Sequence, residues 1–144
     1  WSLTPKYDTL EGLVNYVRYT LNKLLDASDT EYTLNISEEL PEIQLTPDFR
    51  RNVFFIFKEA IANVFKHSGA SHVEITITVL EEELRMTIQD NGTGMHDMDD
   101  GRVHFGLQNM QARAKAIGAN LVIESNKQGT AIRFLVPLPD IPPI

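Results

Sequence analysis

The chain has 144 residues, 42% of them hydrophobic and 23% charged, which suits one globular domain with its own core. A formal net charge of −7 and the absence of any Lys/Arg run exclude nonspecific DNA or RNA binding, so a polyphosphate ligand would have to be met by local donors and a divalent cation. Zero cysteines exclude disulfides, thiol catalysis and cysteine-ligated metals and fit a reducing compartment, and no apolar run is long enough to cross a membrane.

The chain opens at Trp1-Ser2-Leu3 with no initiator Met and no signal-peptide pattern, as expected of a piece of a longer protein. Asp8 is expected to cap a first helix, with Glu11 three residues on and Leu10, Leu13, Val14, Val17, Leu21, Leu24 and Leu25 in one apolar stripe. Tyr32, Leu34 and Ile36 alternate as a short strand, and Pro41 breaks the segment after it. Thr46-Pro47-Asp48 predicts a helix start, the cap followed by proline at the first helical position, with the helix running to about Ser68 and stopping at Gly69. Val73, Ile75, Ile77 and Val79 alternate in the next strand, and Glu81-Glu82-Glu83 turns it back into a strand beginning at Leu84. After a polar stretch from about His96 to His104, a third helix is expected from near Gly106 to Gly118, carrying Leu107, Met110, Ala114 and Ile117. Two last strands carry Leu121/Ile123 and Ile132/Phe134/Val136, before a Pro-rich tail from Asp140. Three amphipathic helices and about five strands with one buried face predict an α+β fold. It is a two-layer α/β sandwich with the helices on one side of a mixed, mostly antiparallel sheet. No GxGxxG fingerprint or phosphate loop of the P-loop type is present.

The most informative stretch is Asp90-Asn91-Gly92-Thr93-Gly94-Met95. Leu84, Met86 and Ile88 point one way, and continuing the alternation puts Asp90 on the apolar side. A carboxylate there costs several kcal/mol unless hydrogen bonds reach it. The glycines allow positive φ and close approach of backbone to a ligand. An inward acid beside a glycine turn suits recognition of a flat donor such as an amino-purine. The same residues also suit an ordinary Asp-Gly turn between strands.

Glu59, Asn63 and His67 recur at four-residue spacing and so line one stripe of the second helix, either a solvated face or a cavity wall. Asn63 offers a neutral oxygen suited to Mg²⁺, an ion that keeps several waters and takes few protein ligands when it bridges phosphates. Glu59, one turn away, could orient or deprotonate an attacking group. Lys66 and His67 would add donors near phosphates, although either alone has an ordinary surface role. Thr130 shares the inward parity of Ile132, Phe134 and Val136, and Gly129 before it permits a tight turn. Gly106, opening the third helix, would present free N–H groups to an anion. Four separate segments thus aim polar groups toward one helix-side cavity.

Lys58-Glu59-Ala60-Ile61-Ala62-Asn63-Val64-Phe65-Lys66-His67-Ser68 resembles the N box of sensor histidine kinases, in the ATPase superfamily shared with gyrase, Hsp90 and MutL. Asp90 to Met95 resembles their first glycine box, Gly106-Leu107-Gln108-Asn109-Met110-Gln111-Ala112-Arg113 the second, and Gly129-Thr130 the closing element. The resemblance spans residues 46–138 in the family's order, and its form is similar to the nitrate- and desaturase-sensing subfamily. It implies one catalytic, ATP-binding domain over 1–144, cut from a protein that also holds a dimerisation domain with the phosphoacceptor histidine. Asp90 would accept from the adenine amino group, with Gly92, Gly94 and Met95 shaping that pocket. Asn63 would bind Mg²⁺, Glu59 would assist phosphoryl transfer, and Lys66 and His67 would lie near ribose or phosphate. Gly106 and Leu107 would anchor the end of a lid, and Gly129 and Thr130 would close the base side.

The implied partners are the phosphoacceptor domain of the same protein and a response regulator. The domain would be cytoplasmic and monomeric, with a parent chain of a kind often anchored in the inner membrane. Two features depart from the pattern. His104-Phe105-Gly106-Leu107 replaces the usual GxGL, and none of His67, His72, His96 or His104 sits in a phosphoacceptor segment. The rival readings are a stand-alone ATPase or serine kinase of the same superfamily and a degenerate domain that only docks partners.

Overall fold

The computed structural model describes residues 8–26, 28–64, 69–93 and 101–139, the side chains of 101–104 excepted. Among them the elements run α1 (Leu10–Leu25), β1 (Glu31–Ile36), α2 (Pro47–Asn63), β2 (His72–Leu80), β3 (Glu83–Asp90), α3 (Gly101–Ala116), β4 (Asn120–Asn126) and β5 (Gly129–Pro137). The cap of α1 is Thr9, whose side chain accepts from the Gly12 amide at 3.0 Å, and not Asp8. Asp8 instead pairs with the guanidinium of Arg50, which is 2% exposed. A cation buried that deeply needs its anion more than a helix end needs a second capping oxygen. Leu24, expected within the apolar stripe, is 37% exposed in the last turn.

The start of α2 follows its sequence signals: Thr46 accepts from the Phe49 amide at 3.1 Å, and Pro47 opens the helix. α3 differs. It begins at Gly101, five residues before Gly106. His104 and Phe105 are compatible with helix, and a glycine inside a helix costs only about 1 kcal/mol, so Gly106 does not mark the boundary.

The sheet has strand order β1-β2-β3-β5-β4. β1 pairs with β2 in parallel, and the other three pairings are antiparallel, giving the mixed, mostly antiparallel sheet that the patterns predict. The parallel pair needs a crossover, and α2 supplies it. β2 and β3 are joined by Glu81 and Glu82 at φ 54° and 62°, the handedness that two-residue hairpin loops favour even though neither residue is glycine. Val73, Ile75 and Ile77 of β2, Leu84, Met86 and Ile88 of β3 and Ile132, Phe134 and Val136 of β5 all face inward. They form one core with Leu13 and Val17 of α1, Ile56, Phe57 and Ile61 of α2 and Met110 of α3. The inward row of β3 ends on Asp90, and that of β5 begins with Thr130.

Candidate functional site

Asp90 is 7% exposed, on the apolar side of the sheet where its register places it. Its Oδ1 accepts from the Gly92 amide at 2.8 Å and from the Thr130 amide at 3.3 Å. None of the described residues donates to its other oxygen. Burial pushes the carboxyl above its ordinary pKa, and the two amide hydrogen bonds oppose that rise. The bond to Gly92 is an Asx turn, and Gly92 itself is not among the residues with positive φ, so its part here is to donate rather than to turn left-handed.

Glycine is required at 129 for a reason spacing does not reveal. A Cβ there would lie 2.0 Å from the Asp90 carbonyl oxygen, and its φ is 142°. The Thr130 hydroxyl meets that of Ser125 across the β4–β5 pair at 3.1 Å. Asp90, Gly92, Gly129 and Thr130 therefore form one corner where β3 ends and β5 begins. A cleft of about 190 Å³ reaches that corner from the opposite, polar face, between Gln89, Glu124, Gln128 and Arg133. Its walls are exposed polar side chains, which makes it a solvent cleft and not the helix-side pocket the sequence predicts.

Glu59 of the α2 stripe faces α3. A Cβ on Gly106 would stand 3.0 Å from Glu59 Oε2, so this glycine lets the two helices close over the carboxylate; it is not a helix N-terminus for an anion. Asn52 and Phe55 extend the same face: the Arg113 guanidinium lies 4.3 Å from the Phe55 ring centre and donates to Asn52 Oδ1 at 3.4 Å. Arg113 thus braces α3 against α2. Phe105, beside Gly106, is 65% exposed, and Leu107 is half-buried.

Asn63 lies one turn beyond Glu59, half-buried, and its Nδ2 is buried without a hydrogen-bond partner among the described residues. Rotating the amide exchanges nitrogen for oxygen, so the site can offer a single oxygen ligand. The described residues hold no group of three or more His, Asp or Glu that could cage a cation. One neutral oxygen suits Mg²⁺ that carries its own waters and bridges phosphates.

No hydrogen bond joins the Asp90 corner to the Glu59–Gly106 contact among the described residues. Val73, near the start of β2, pairs with Asp90. Lys66, His67, Gly94, Met95 and the side chain of His104 lie outside the described residues, as does the expected helix end at Ser68. Two residues gain a structural role that the sequence does not assign them. Arg113, which the resemblance matches to a family arginine with either a phosphate contact or a bracing role, takes the bracing one here, on a ring of another helix. Asn91, within the glycine box, is hydrogen-bonded to Ser71 and His72.

Residues 50–140 match the family described as histidine kinase-, DNA gyrase B-, and HSP90-like ATPase. The sensor histidine kinase LiaS of Bacillus subtilis is 33% identical over 132 residues, covering 90% of this chain and 36% of LiaS. The NarQ homolog sensor protein of Haemophilus influenzae is 29% identical over 125 residues, covering 84% of this chain and 22% of its own. The chain thus spans about a third or less of these two curated relatives. In fold it is similar to the histidine kinase domain of the blue-light activated histidine kinase of Erythrobacter litoralis, with a TM-score of 0.70 over 89% of this chain and 60% of that one at 18% identity. The histidine kinase AdeS of Acinetobacter baumannii gives 0.69 over 92% and 66% at 17% identity. A match over more than half of the sequence, on the sandwich that these kinase domains share, makes this chain a member of the histidine kinase-, DNA gyrase B-, and HSP90-like ATPase family.

Proposed function

We propose that this domain binds Mg·ATP and presents the γ-phosphate to a histidine on the dimerisation domain of a two-component sensor kinase, for relay to a response-regulator aspartate. The observation that carries the reading is Asp90, a buried carboxylate gripped on one oxygen, with no donor to the other among the described residues, at the glycine-lined corner of the sheet. In that state it accepts from an exocyclic amino group, which adenine offers. Gly92 and Thr130 hold it there, and Gly129 lets β5 approach closely enough for the Thr130 amide to reach.

The triphosphate extends toward α2. Asn63 would supply an oxygen to Mg²⁺, whose charge would offset that of the phosphates, and Glu59 would polarise the attacking imidazole. Lys66 and His67, next along α2's sequence, are assigned to ribose or phosphate, and Gly94 and Met95 to the adenine pocket. Leu107 and Gly106 anchor the lid end. Phosphoryl transfer depends chiefly on positioning and charge neutralisation, so turnover requires the acceptor domain. The domain acts on the cytoplasmic side of the membrane, and its own fold supplies no dimer contact to the reaction.

Mixed with the histidine-bearing dimerisation domain of its parent kinase, the wild-type domain should form alkali-stable phosphohistidine from γ-labelled ATP. Asn63→Ala should lower that yield about a hundredfold and remove the Mg²⁺ dependence of ATP affinity. Steady release of phosphate by the isolated domain, with no histidine labelled, would replace this reading with that of a stand-alone ATPase.

A further inference from the structure

Asn91 is exposed, yet both polar atoms of its side chain are hydrogen-bonded. Oδ1 accepts from the amides of Ser71 and His72, each at 3.0 Å, and Nδ2 donates to the Ser71 hydroxyl at 2.9 Å. Its own amide donates to the His72 carbonyl at 3.2 Å. Asparagine in a turn ordinarily bonds its own backbone two residues on. Here Asp90 makes that local bond, to Gly92, while Asn91 reaches back to the segment that opens β2. The β2–β3 ladder ends with Val73 opposite Asp90. The Asn91 bonds therefore fix the chain one residue past the acid, where no strand pairing remains.

We infer that Asn91 is a positioning residue for Asp90, clamping the exit of β3 so that the carboxylate's open oxygen stays aimed at the base. The inference rests on Asp90 being the adenine acceptor. A hydrogen bond weakens steeply once its angle falls toward about 120°, so a turn free to swing loses recognition of the base while leaving the triphosphate end untouched. A clasp that served only the stability of the hairpin would weaken every nucleotide alike.

The test uses the full chain, with thermal unfolding recorded without nucleotide and Mg·ATP and Mg·GTP affinities measured by competition. Guanine carries a carbonyl where adenine carries its amino group, so the ATP-to-GTP ratio reports how well Asp90 is aimed. Asn91→Ala should lower ATP affinity about tenfold with GTP affinity unchanged. Asn91→Asp keeps an oxygen for both amides and can accept from the Ser71 hydroxyl, and it should recover most of the ratio. Unaltered ATP binding in Asn91→Ala, or equal losses for both nucleotides, overturns the inference. If Asn91→Ala does not fold, Ser71→Ala removes only the acceptor of Nδ2 and should give about a two- to threefold loss of the same selectivity; equal ATP and GTP affinities relative to wild type would overturn it there. Asp90→Asn separates the two levels. Wild-type ATP binding in that variant defeats the adenine reading itself, whereas abolished binding there with an unaltered Asn91→Ala defeats only the clamp.

Discussion

Asp90 sits where burial and hydrogen bonding pull its ionisation in opposite directions, and burial has the larger effect. An acid whose folded pKa lies above its unfolded value stabilises the fold below the unfolded value, and that stability is lost as pH rises through the folded value. Without nucleotide, the wild type should therefore lose this contribution as pH climbs out of the ordinary carboxylate range. Asp90→Asn keeps an oxygen for both amides and carries no such loss. Urea unfolding of the two proteins from about pH 4 to about pH 7.5 should give a stability difference, variant minus wild type, that grows and then levels. A difference that is flat or falls with pH would contradict the burial of the ionised group. The inward placement of this residue was legible in the alternation of Leu84, Met86 and Ile88. Its grip by the Thr130 amide was not, because that bond joins strands forty residues apart in sequence.

At the scale of elements, two glycines set how closely neighbours approach, with opposite tolerance for a methyl group. A Cβ at 129 would collide with backbone, 2.0 Å from the Asp90 carbonyl, whereas one at 106 would press on the far end of a flexible side chain at 3.0 Å. Gly129→Ala should cost about 3 kcal/mol or more in thermal or urea unfolding and take nucleotide binding with it. Gly106→Ala should keep or raise helix stability, by up to about 1 kcal/mol, while displacing Glu59 and slowing phosphohistidine formation. A stable, ATP-binding Gly129→Ala or a Gly106→Ala with full transfer rate would contradict these roles. Thr46-Pro47 announced its helix because cap and first turn are local chemistry. The run of α3 through Gly106 and the capture of Asp8 by Arg50 were hidden, since a helix can run through a glycine and a buried arginine recruits its anion from across the fold.

For the whole molecule, period-two and helical patterns were enough for a sandwich with one helical layer, since each pattern states which face is buried. They did not state which strand neighbours which: the parallel edge of β1 on β2 and the insertion of β5 between β3 and β4 arise from tertiary pairing. That order is what brings the end of β3 against the start of β5. The candidate site was legible as residue types in a family's order, but the clasp of Asn91 and the brace of Arg113 required geometry. An acidic domain of net charge −7 that accepts a polyphosphate would do so through a few placed groups and a cation, and we propose Asp90 as the group on which base recognition turns. Calorimetric titration with Mg·ATP tests this most directly. The wild type should bind one equivalent, and folded Asp90→Asn should show no heat of binding; equal affinity in the two proteins would contradict the assignment.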